Sequence, residues 1–151
     1  MRSIAQDAEL QARLRADRER IPNFIEEVLR YESPLRAQFR MAKFDTTVAG
    51  VDIPAGASVL LLPGAANRDP RAFEAPERFR PERFEGGRTP AAARSAYMPF
   101  GSGPRTCIAA QQALLQMTLI TLMIARRFVL TPVQEVGHGF DMGRRFRVAL
   151  A

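Results

Sequence analysis

The sequence predicts an α+β fold in which helices and short strands occupy separate stretches of the chain. Apolar residues recur at helical spacing in residues 4–31 and again in 108–127, whereas residues 44–62 hold short apolar runs separated by glycine and proline. A third kind of segment, residues 67–96, is rich in Pro, Arg, Glu and Gly and shows little periodicity. A loop of that length is uncommon unless it is functional or disordered. Its regularly spaced phenylalanines favour an ordered loop held against a core.

Local signals give the order of the elements. Pro22 separates two predicted helices, the second of which has Asn23 as its N-cap and ends at Pro34. The segment after Cys107 is apolar nearly all round, which predicts a buried helix. In chain order, we expect helices over 4–20 and 23–31, a small antiparallel sheet of strands 44–49, 51–53 and 57–62, a helix over 108–127, and strands over 128–130 and 146–150.

Length and composition are those of one globular domain. The chain has 151 residues, of which 46% are hydrophobic and 25% are charged, so it can bury a core. The formal net charge is +6, and the positively charged residues are almost all arginines, because Lys43 is the only lysine. A basic surface attracts nucleic acid, anionic membranes or acidic proteins. No basic run reaches the density of a nucleic-acid-binding arm, so we expect a solvated surface or a docking face for an acidic protein.

Cysteine usage and hydropathy predict a cytoplasmic protein without a membrane anchor. A single cysteine cannot form an internal disulfide. Residues 1–20 are charged and lack the apolar region of a signal peptide. The most apolar stretch, residues 113–125, contains polar residues and is shorter than the roughly 20 residues that span a bilayer.

Cys107 is the residue whose surroundings indicate metal chemistry. A lone cysteine is commonly a small buried hydrophobic residue, but this one follows a glycine-rich turn and immediately precedes a helix. The positive end of the helix dipole and the charge of Arg105 both favour the thiolate, which is the form that binds metals. Gly101 and Gly103 allow backbone amides to approach the sulfur, and such donors tune a metal–thiolate bond.

Glu27 and Arg30 share one helix face, and two interpretations of the pair remain open. A surface ion pair would contribute little stability. A pair packed against apolar neighbours would need further hydrogen-bond partners, and Arg83 in the long loop is a candidate. Arg40 alone is ordinarily solvated. With one cysteine and one histidine, His138, a tetrahedral zinc site is implausible.

Together these segments resemble the cytochrome P450 superfamily, in particular its soluble bacterial members. Residues 100–107, FGSGPRTC, are similar to the family's cysteine loop, and residues 27–30, EVLR, to its Glu-x-x-Arg helix. Residues 81–84, PERF, resemble the arginine segment of its meander loop, and residues 67–70, NRDP, resemble the sequence that bacterial members have just upstream. The motifs occur in family order over nearly the whole chain.

The resemblance implies a fold and a cofactor. Residues 1–151 would be the haem-binding C-terminal portion of the mainly helical P450 fold, with a small antiparallel sheet, a meander loop and a buried proximal helix beneath the haem. The cofactor would be haem b, with the Cys107 thiolate as the axial iron ligand. The other residues with implied roles are Phe100, which shields the thiolate, Gly101 and Gly103 in the loop, Arg105 and Arg40 on the propionates, Ala109 under the porphyrin, and Glu27, Arg30 and Arg83 as a buried charge triad.

The implied activity is that of a haem-thiolate monooxygenase, which inserts one oxygen atom of O2 into a small organic substrate. Electrons would come from a ferredoxin-type or other redox partner. Nothing in residues 1–20 resembles the family's distal helix, which carries an acid–alcohol pair, so we expect no catalytic residue beyond the iron ligand and a need for an N-terminal portion. A non-catalytic haem-binding remnant or interaction module, and a peroxide-using enzyme, remain alternatives. Ala109 departs from the family's usual glycine, which would tighten the contact between helix and porphyrin.

Overall fold

A computed structural model describes residues 2–87, 93–132 and 146–150. The chain divides into two compact units: Met1–Glu26 with Ile108–Ala151, and Glu27–Cys107. We refer to them as unit 1 and unit 2. Helices and small antiparallel sheets occupy separate stretches, as the predicted α+β class requires. Within the described part of the chain, none of the helices combines the length and hydrophobicity that a bilayer crossing requires.

The described elements are short apart from two helices. The helices are α1 (Arg2–Ala5), α2 (Ala8–Ala16), α3 (Ile21–Glu32), α4 (Pro63–Ala66) and α5 (Ala110–Arg127). The strands are β1 (Gln38–Met41), β2 (Thr46–Val48), β3 (Val51–Ile53), β4 (Ser58–Leu61), β5 (Phe128–Pro132) and β6 (Phe146–Leu150). Further 3-10 turns cover Arg18–Arg20, Pro81–Gly87 and Gly103–Arg105.

The single helix predicted over residues 4–20 is instead divided at two aspartates. The side chain of Asp7 accepts a hydrogen bond from the amide of Leu10 at 2.8 Å and begins α2. Asp17 ends α2 and accepts from the amide of Glu19 at 3.0 Å. Short acidic side chains compete with the helical backbone for its own donors. The apolar spacing was therefore predictive, but the caps decided where each helix begins and ends.

Pro22 does not separate two helices, because it lies in the first turn of α3. Proline is tolerated there since the first amides of a helix have no partner within the helix. Asn23 is consequently inside the helix, and the prediction that it is the N-cap was wrong. The helix ends at Glu32, close to the end predicted from Pro34.

The predicted sheet is two separate two-stranded sheets, β1–β4 and β2–β3, both antiparallel. Strand β1 was not predicted; it is almost wholly exposed on both faces, so its sequence carries no burial pattern. The β2–β3 hairpin turns at Ala49 and Gly50, whose φ angles are +51° and +80°. Positive φ at both turn residues is what a tight two-residue hairpin requires. The turn at residues 54–56 is also present, closed by the amide of Ala57 on the carbonyl of Pro54 at 3.1 Å.

Helix α5 lies where the sequence predicted it but is not buried all round. Its buried positions are Thr121 and Ala125. Four large apolar side chains on it are 49–59% exposed: Leu115, Leu119, Ile120 and Met123. Within the described residues, α5 packs on α2 and β5, and these elements cover one side of the helix. The remaining apolar stripe faces solvent.

Two polar side chains of α2 fasten the end of α5 and strand β5 within unit 1. Gln11 is buried, and its amide donates to the Leu130 carbonyl at 2.8 Å and accepts from the Leu130 amide at 3.0 Å. Arg15 donates to the carbonyls of Ala125 at 2.8 Å and Phe128 at 3.2 Å. Gln11 thus takes the place of a neighbouring strand, and Arg15 satisfies a carbonyl at the end of α5 that has no partner in the helix.

We expect Gln11→Glu to make the stability of unit 1 depend on pH. A protonated carboxyl reproduces both hydrogen bonds of the amide, but a carboxylate has no proton for the Leu130 carbonyl. The pKa of the introduced group should therefore be raised in the folded state, so its stabilising effect is present at low pH and lost as pH rises through that value. Relative to the natural chain, the loss should reach about 1–3 kcal/mol at pH 8.

Urea unfolding of both proteins at pH 4.5 and pH 8 measures the difference. Glu9→Gln, a change at an exposed position of the same helix, serves as the control and should show no such pH dependence. An equal loss for Gln11→Glu at both pH values would contradict the expectation.

Candidate functional site

Unit 2 contains a carboxylate with no exposed surface. Glu27 is 0% exposed on α3 and accepts through both oxygens. The Nε of Arg30 donates to its Oε2 at 2.7 Å, and the Nη2 donates to its Oε1 at 2.8 Å. The amide of Arg80 adds a bond to Oε1 at 2.7 Å, and the Nε of Arg83 lies 3.2 Å from each oxygen. The two arginines thus share one buried carboxylate.

Arg30 is also fully buried, and every one of its N–H groups is used. Its Nη1 donates to the carbonyls of Asn67 and Pro76, both at 2.9 Å, and its Nη2 adds the Arg78 carbonyl at 3.2 Å. With the two bonds to Glu27, this accounts for the five donors that a guanidinium carries. A buried charge is tolerated only under such conditions.

Arg83 binds further backbone carbonyls of the long loop. Its side chain is 7% exposed and donates to the carbonyls of Glu74 at 3.0 Å, Ala75 at 3.4 Å and Arg78 at 3.2 Å. These carbonyls belong to a segment with little regular structure to satisfy them. The two guanidinium groups therefore donate hydrogen bonds to the backbone carbonyls of this segment, as a neighbouring strand would in a sheet. The structure brings together the three residues that the sequence proposed as a triad.

An aromatic group adjoins this charged network. The guanidinium carbon of Arg30 lies 5.3 Å from the ring centre of Phe73, which is buried. Tyr97 packs edge-on against Phe73 at 6.5 Å and tilted against Phe84 at 5.2 Å. Phe79 makes a separate edge-on pair with Tyr31 at 5.7 Å. Each phenylalanine that the sequence placed in the loop thus makes aromatic contacts, and Phe73 and Phe84 are fully buried.

Asn67 and Arg68 bind the end of α3, a role that the sequence did not assign. The side-chain Nδ2 of Asn67 donates to the hydroxyl of Ser33 at 2.9 Å. The guanidinium of Arg68 stacks on the ring of Tyr31, 4.3 Å from its centre, donates to the Tyr31 carbonyl at 2.8 Å, and pairs with Glu77. The NRDP motif was the available signal, but only the contacts show what it does.

Asp69 begins the next turn of the same segment. Its carboxylate accepts a hydrogen bond from the Arg71 amide at 2.8 Å and another from the Nη2 of the Arg71 side chain at 2.7 Å. The hydrogen bond from the Arg71 side chain is the main reason that the pKa of Asp69 is lowered. Since the folded-state pKa is lowered, this pair contributes at neutral pH and is lost only in acid, as pH falls through that value.

The cysteine loop is a glycine turn closed on itself. The amide of Cys107 donates to the carbonyl of Phe100 at 2.9 Å, which joins the two ends of the loop. Gly101 and Gly103 have φ angles of +77° and +70°, which side-chain-bearing residues rarely adopt. The amide and the hydroxyl of Thr106 both bond to the Gly103 carbonyl, at 3.1 and 2.8 Å. The thiol that follows this turn is exposed.

The two arginines predicted to bind carboxylates are both exposed in unit 2. Arg105 ends the 3-10 turn of the cysteine loop. Arg40 lies on β1 opposite Val59, and its guanidinium donates to the carbonyl of Phe39 at 3.0 Å and to the side chain of Gln38 at 2.8 Å. The bonds of Arg40 are local ones on an exposed surface, so its guanidinium can exchange them for another acceptor at little cost.

Ala109 is exposed just before α5 and has φ −92° and ψ 11°. Alanine adopts a negative φ without strain, so this backbone does not require the glycine that the family pattern carries. Any effect of the methyl group would therefore come from contact with a ligand. His138, which the sequence gave no functional role, lies outside the described residues.

Comparison with known protein sequences gives one consistent result. The profile of the family described as Cytochrome P450 matches residues 1–144. Cytochrome P450 144 of Mycobacterium tuberculosis is 37% identical over 134 residues, which cover 89% of this chain and 29% of that protein. A cyclooctat-9-en-7-ol 5-monooxygenase of Streptomyces melanosporofaciens is 38% identical over 109 residues, 72% of this chain and 24% of its own length.

Comparison with solved structures agrees. Mycobacterium marinum cytochrome P450 CYP150A6 superposes with a TM-score of 0.76 at 39% identity, over 87% of this chain and 30% of that one. CYP109E1 from Bacillus megaterium gives a TM-score of 0.78 at 29% identity, over 97% of this chain and 37% of that one. The chain thus spans 24–37% of the length of these relatives, and its α+β arrangement is the corresponding part of their fold.

We expect Glu27→Gln to destabilise unit 2 by about 3–5 kcal/mol, because it leaves two arginines without their shared buried charge. The midpoint of urea unfolding measures the change. Asp69→Asn is the matched control, since it makes the same chemical change in an exposed pair with Arg71 and should barely move the midpoint. Similar midpoints for the two variants would show that the buried carboxylate does not organise the loop.

Proposed function

The chain belongs to the cytochrome P450 family, and from this we propose that it forms the haem-binding C-terminal part of a haem-thiolate monooxygenase, with Cys107 as the axial iron ligand. One observation carries the proposal. The only cysteine of the sequence is exposed at the end of a glycine turn that its own amide closes on Phe100. A single thiol presented in this way on a braced loop is suited to bind a metal centre.

The chemistry of the described residues fits a haem group. The Cys107 thiol supplies the soft ligand that haem iron accepts from proteins of this type. Residues 102–109 are exposed, so none of them needs to leave a core for a planar ligand to approach. The positive φ angles of Gly101 and Gly103 turn the backbone so that Cys107 closes the loop with its thiol outermost.

Arg105 and Arg40 are proposed to hold the two propionates of haem b. A guanidinium presents paired donors that match a carboxylate, and both residues are exposed in unit 2. Arg40 would exchange its present acceptors, Gln38 and Phe39, for a propionate. Arg105, two residues before the ligand, would combine this role with a positive charge near the thiolate.

The roles of the chain's residues follow from these positions. When bound, haem supplies the oxygen-activating chemistry, and the protein supplies ligation, electrostatics and orientation. Cys107 provides an electron-rich sulfur to the iron, and Phe100 is proposed to shield that sulfur from water. Glu27, Arg30 and Arg83 are not proposed to contact the reacting atoms; the two arginines bind carbonyls of residues 67–78 and hold that part of the long loop.

The whole activity also calls for a substrate and a source of electrons. We propose a small organic substrate and an acidic redox partner of the ferredoxin type, for which the net charge of +6 supplies electrostatic complementarity. The name of one relative, a monooxygenase acting on cyclooctat-9-en-7-ol, supports the reaction class. That name carries no information about which substrate this chain would help to oxidise.

A non-catalytic haem-binding interaction module is the second candidate. The exposed apolar stripe of α5, formed by Leu115, Leu119, Ile120 and Met123, favours it, because such surfaces mark binding sites for other protein segments. Oxidation of an organic probe with hydrogen peroxide by the haem-loaded chain would favour the enzyme. Sulfur-ligated haem with no turnover would favour the module.

We expect the chain reconstituted with haem and reduced under carbon monoxide to show the red-shifted Soret band of a thiolate ligand. Cys107→Ser should abolish the red shift, since no other residue of the sequence can supply a thiolate. Ser102→Ala changes an exposed residue of the same loop whose hydroxyl makes no capping bond, and it should leave the band in place. A band without the red shift in the natural chain, or one that survives Cys107→Ser, would overturn the proposal.

A further inference from the structure

We propose that Tyr97 is a positioning residue, which transmits the fixed geometry of the Glu27 network to the cysteine loop. The inference rests on the proposed function, because it assigns Tyr97 a role through Cys107. Tyr97 was not among the residues that the sequence singled out. It lies three residues before Phe100, on the segment that leads into the loop.

The ring of Tyr97 joins the loop segment to the buried network. It contacts the rings of Phe73, 1% exposed, and Phe84, 2% exposed. Phe73 lies against the Arg30 guanidinium, and Phe84 directly follows Arg83 in the chain. These two ring contacts therefore connect Tyr97 to residues that lie next to Arg30 and Arg83 of the network.

The cysteine loop begins directly after this ring. The amide of Tyr97 donates to the carbonyl of Ala93 at 2.8 Å, and Ala93 is completely buried. The next residue, Met98, accepts from the amide of Gly101 at 3.1 Å. Tyr97 is thus anchored through both its backbone and its ring at the point where the loop leaves the core.

Burial of its own side chains does not fix the loop. Residues 102–107 are all exposed, and those from 98 to 101 are half-buried. The two ends of the loop are joined by the hydrogen bond from the amide of Cys107 to the carbonyl of Phe100. A bond whose donor residue is exposed opens easily unless its flanking chain is held. The Tyr97 ring is a buried-side aromatic contact next to the loop, so its loss should loosen the cysteine turn while the charged network persists.

Amide hydrogen exchange of the full chain without haem tests this directly, with the Cys107 and Gly101 amides as reporters of the loop. The Ala42 amide, which bonds to the Ala57 carbonyl at 2.9 Å beside the β1–β4 sheet, is the internal reference. We expect Tyr97→Ala to accelerate exchange at Cys107 on the order of tenfold relative to Ala42, since two aromatic contacts are removed. Tyr97→Phe keeps the ring and should remain within about twofold of the natural chain.

Phe79→Ala is the matched control. It removes another half-buried ring of the same long loop, one paired with Tyr31, and should leave the Cys107-to-Ala42 ratio unchanged. Tyr97→Leu serves if Tyr97→Ala does not fold, because it retains apolar volume without a ring; it should accelerate Cys107 in the same direction. An unchanged ratio in the folded Tyr97 variants, or an equal change in Phe79→Ala, would overturn the role of Tyr97.

The same proteins saturated with haem separate this inference from the proposed function. With Tyr97→Ala, we expect a smaller share of the red-shifted ferrous–CO band at equal haem content, restored in Tyr97→Phe. If Tyr97→Ala speeds exchange at Cys107 but the natural chain shows no red-shifted band, the haem-thiolate function fails and the positioning of the loop by Tyr97 stands. If the natural chain shows the band and Tyr97→Ala does not reduce it, the positioning role fails and the function stands.

Discussion

The carboxylate of Glu27, shared between Arg30 and Arg83 without exposure to water, is the interaction on which unit 2 depends. Removing these charges from water costs several kcal/mol per ion. The cost is offset because Arg30 uses all its donors and because the guanidinium groups bind carbonyls from residues 67–78. In the described residues 67–87, the long loop forms 3-10 turns but no strand, so the ion network supplies partners for its carbonyls.

This arrangement separates the support of the site from its chemistry. The thiol of Cys107 and the charge of Arg105 are exposed, whereas Tyr97, which we propose positions their loop, packs on the buried rings of Phe73 and Phe84. A residue that binds a cofactor must be accessible to it. The side chains of an accessible loop are therefore exposed, and their burial cannot hold the loop in place. Precise placement therefore requires a second layer of residues whose own positions are fixed by packing and hydrogen bonds.

Unit 1 uses the same principle with one neutral and one charged side chain. The Gln11 amide occupies the position of a missing strand beside Leu130, and Arg15 binds the carbonyls of Ala125 and Phe128 at the junction of α5 and β5. In both units, side chains supply backbone partners that regular structure does not. The donors and acceptors of these side chains fit one arrangement of the backbone, so they select that arrangement. Hydrophobic packing alone would not select it.

The sequence by itself determined the α+β class, the approximate location of α3 and α5, the hairpin turn at Gly50, and the glycine turn before Cys107. These features depend on periodicity, on turn residues and on neighbours a few positions apart. The tertiary structure decided that Glu27 is buried, that Gln11 pairs with a strand 119 residues away, and that Tyr97 packs on Phe73 and Phe84. It also left one face of α5 exposed, although its composition predicted burial. Burial and pairing depend on which distant segments meet, and local patterns do not encode that.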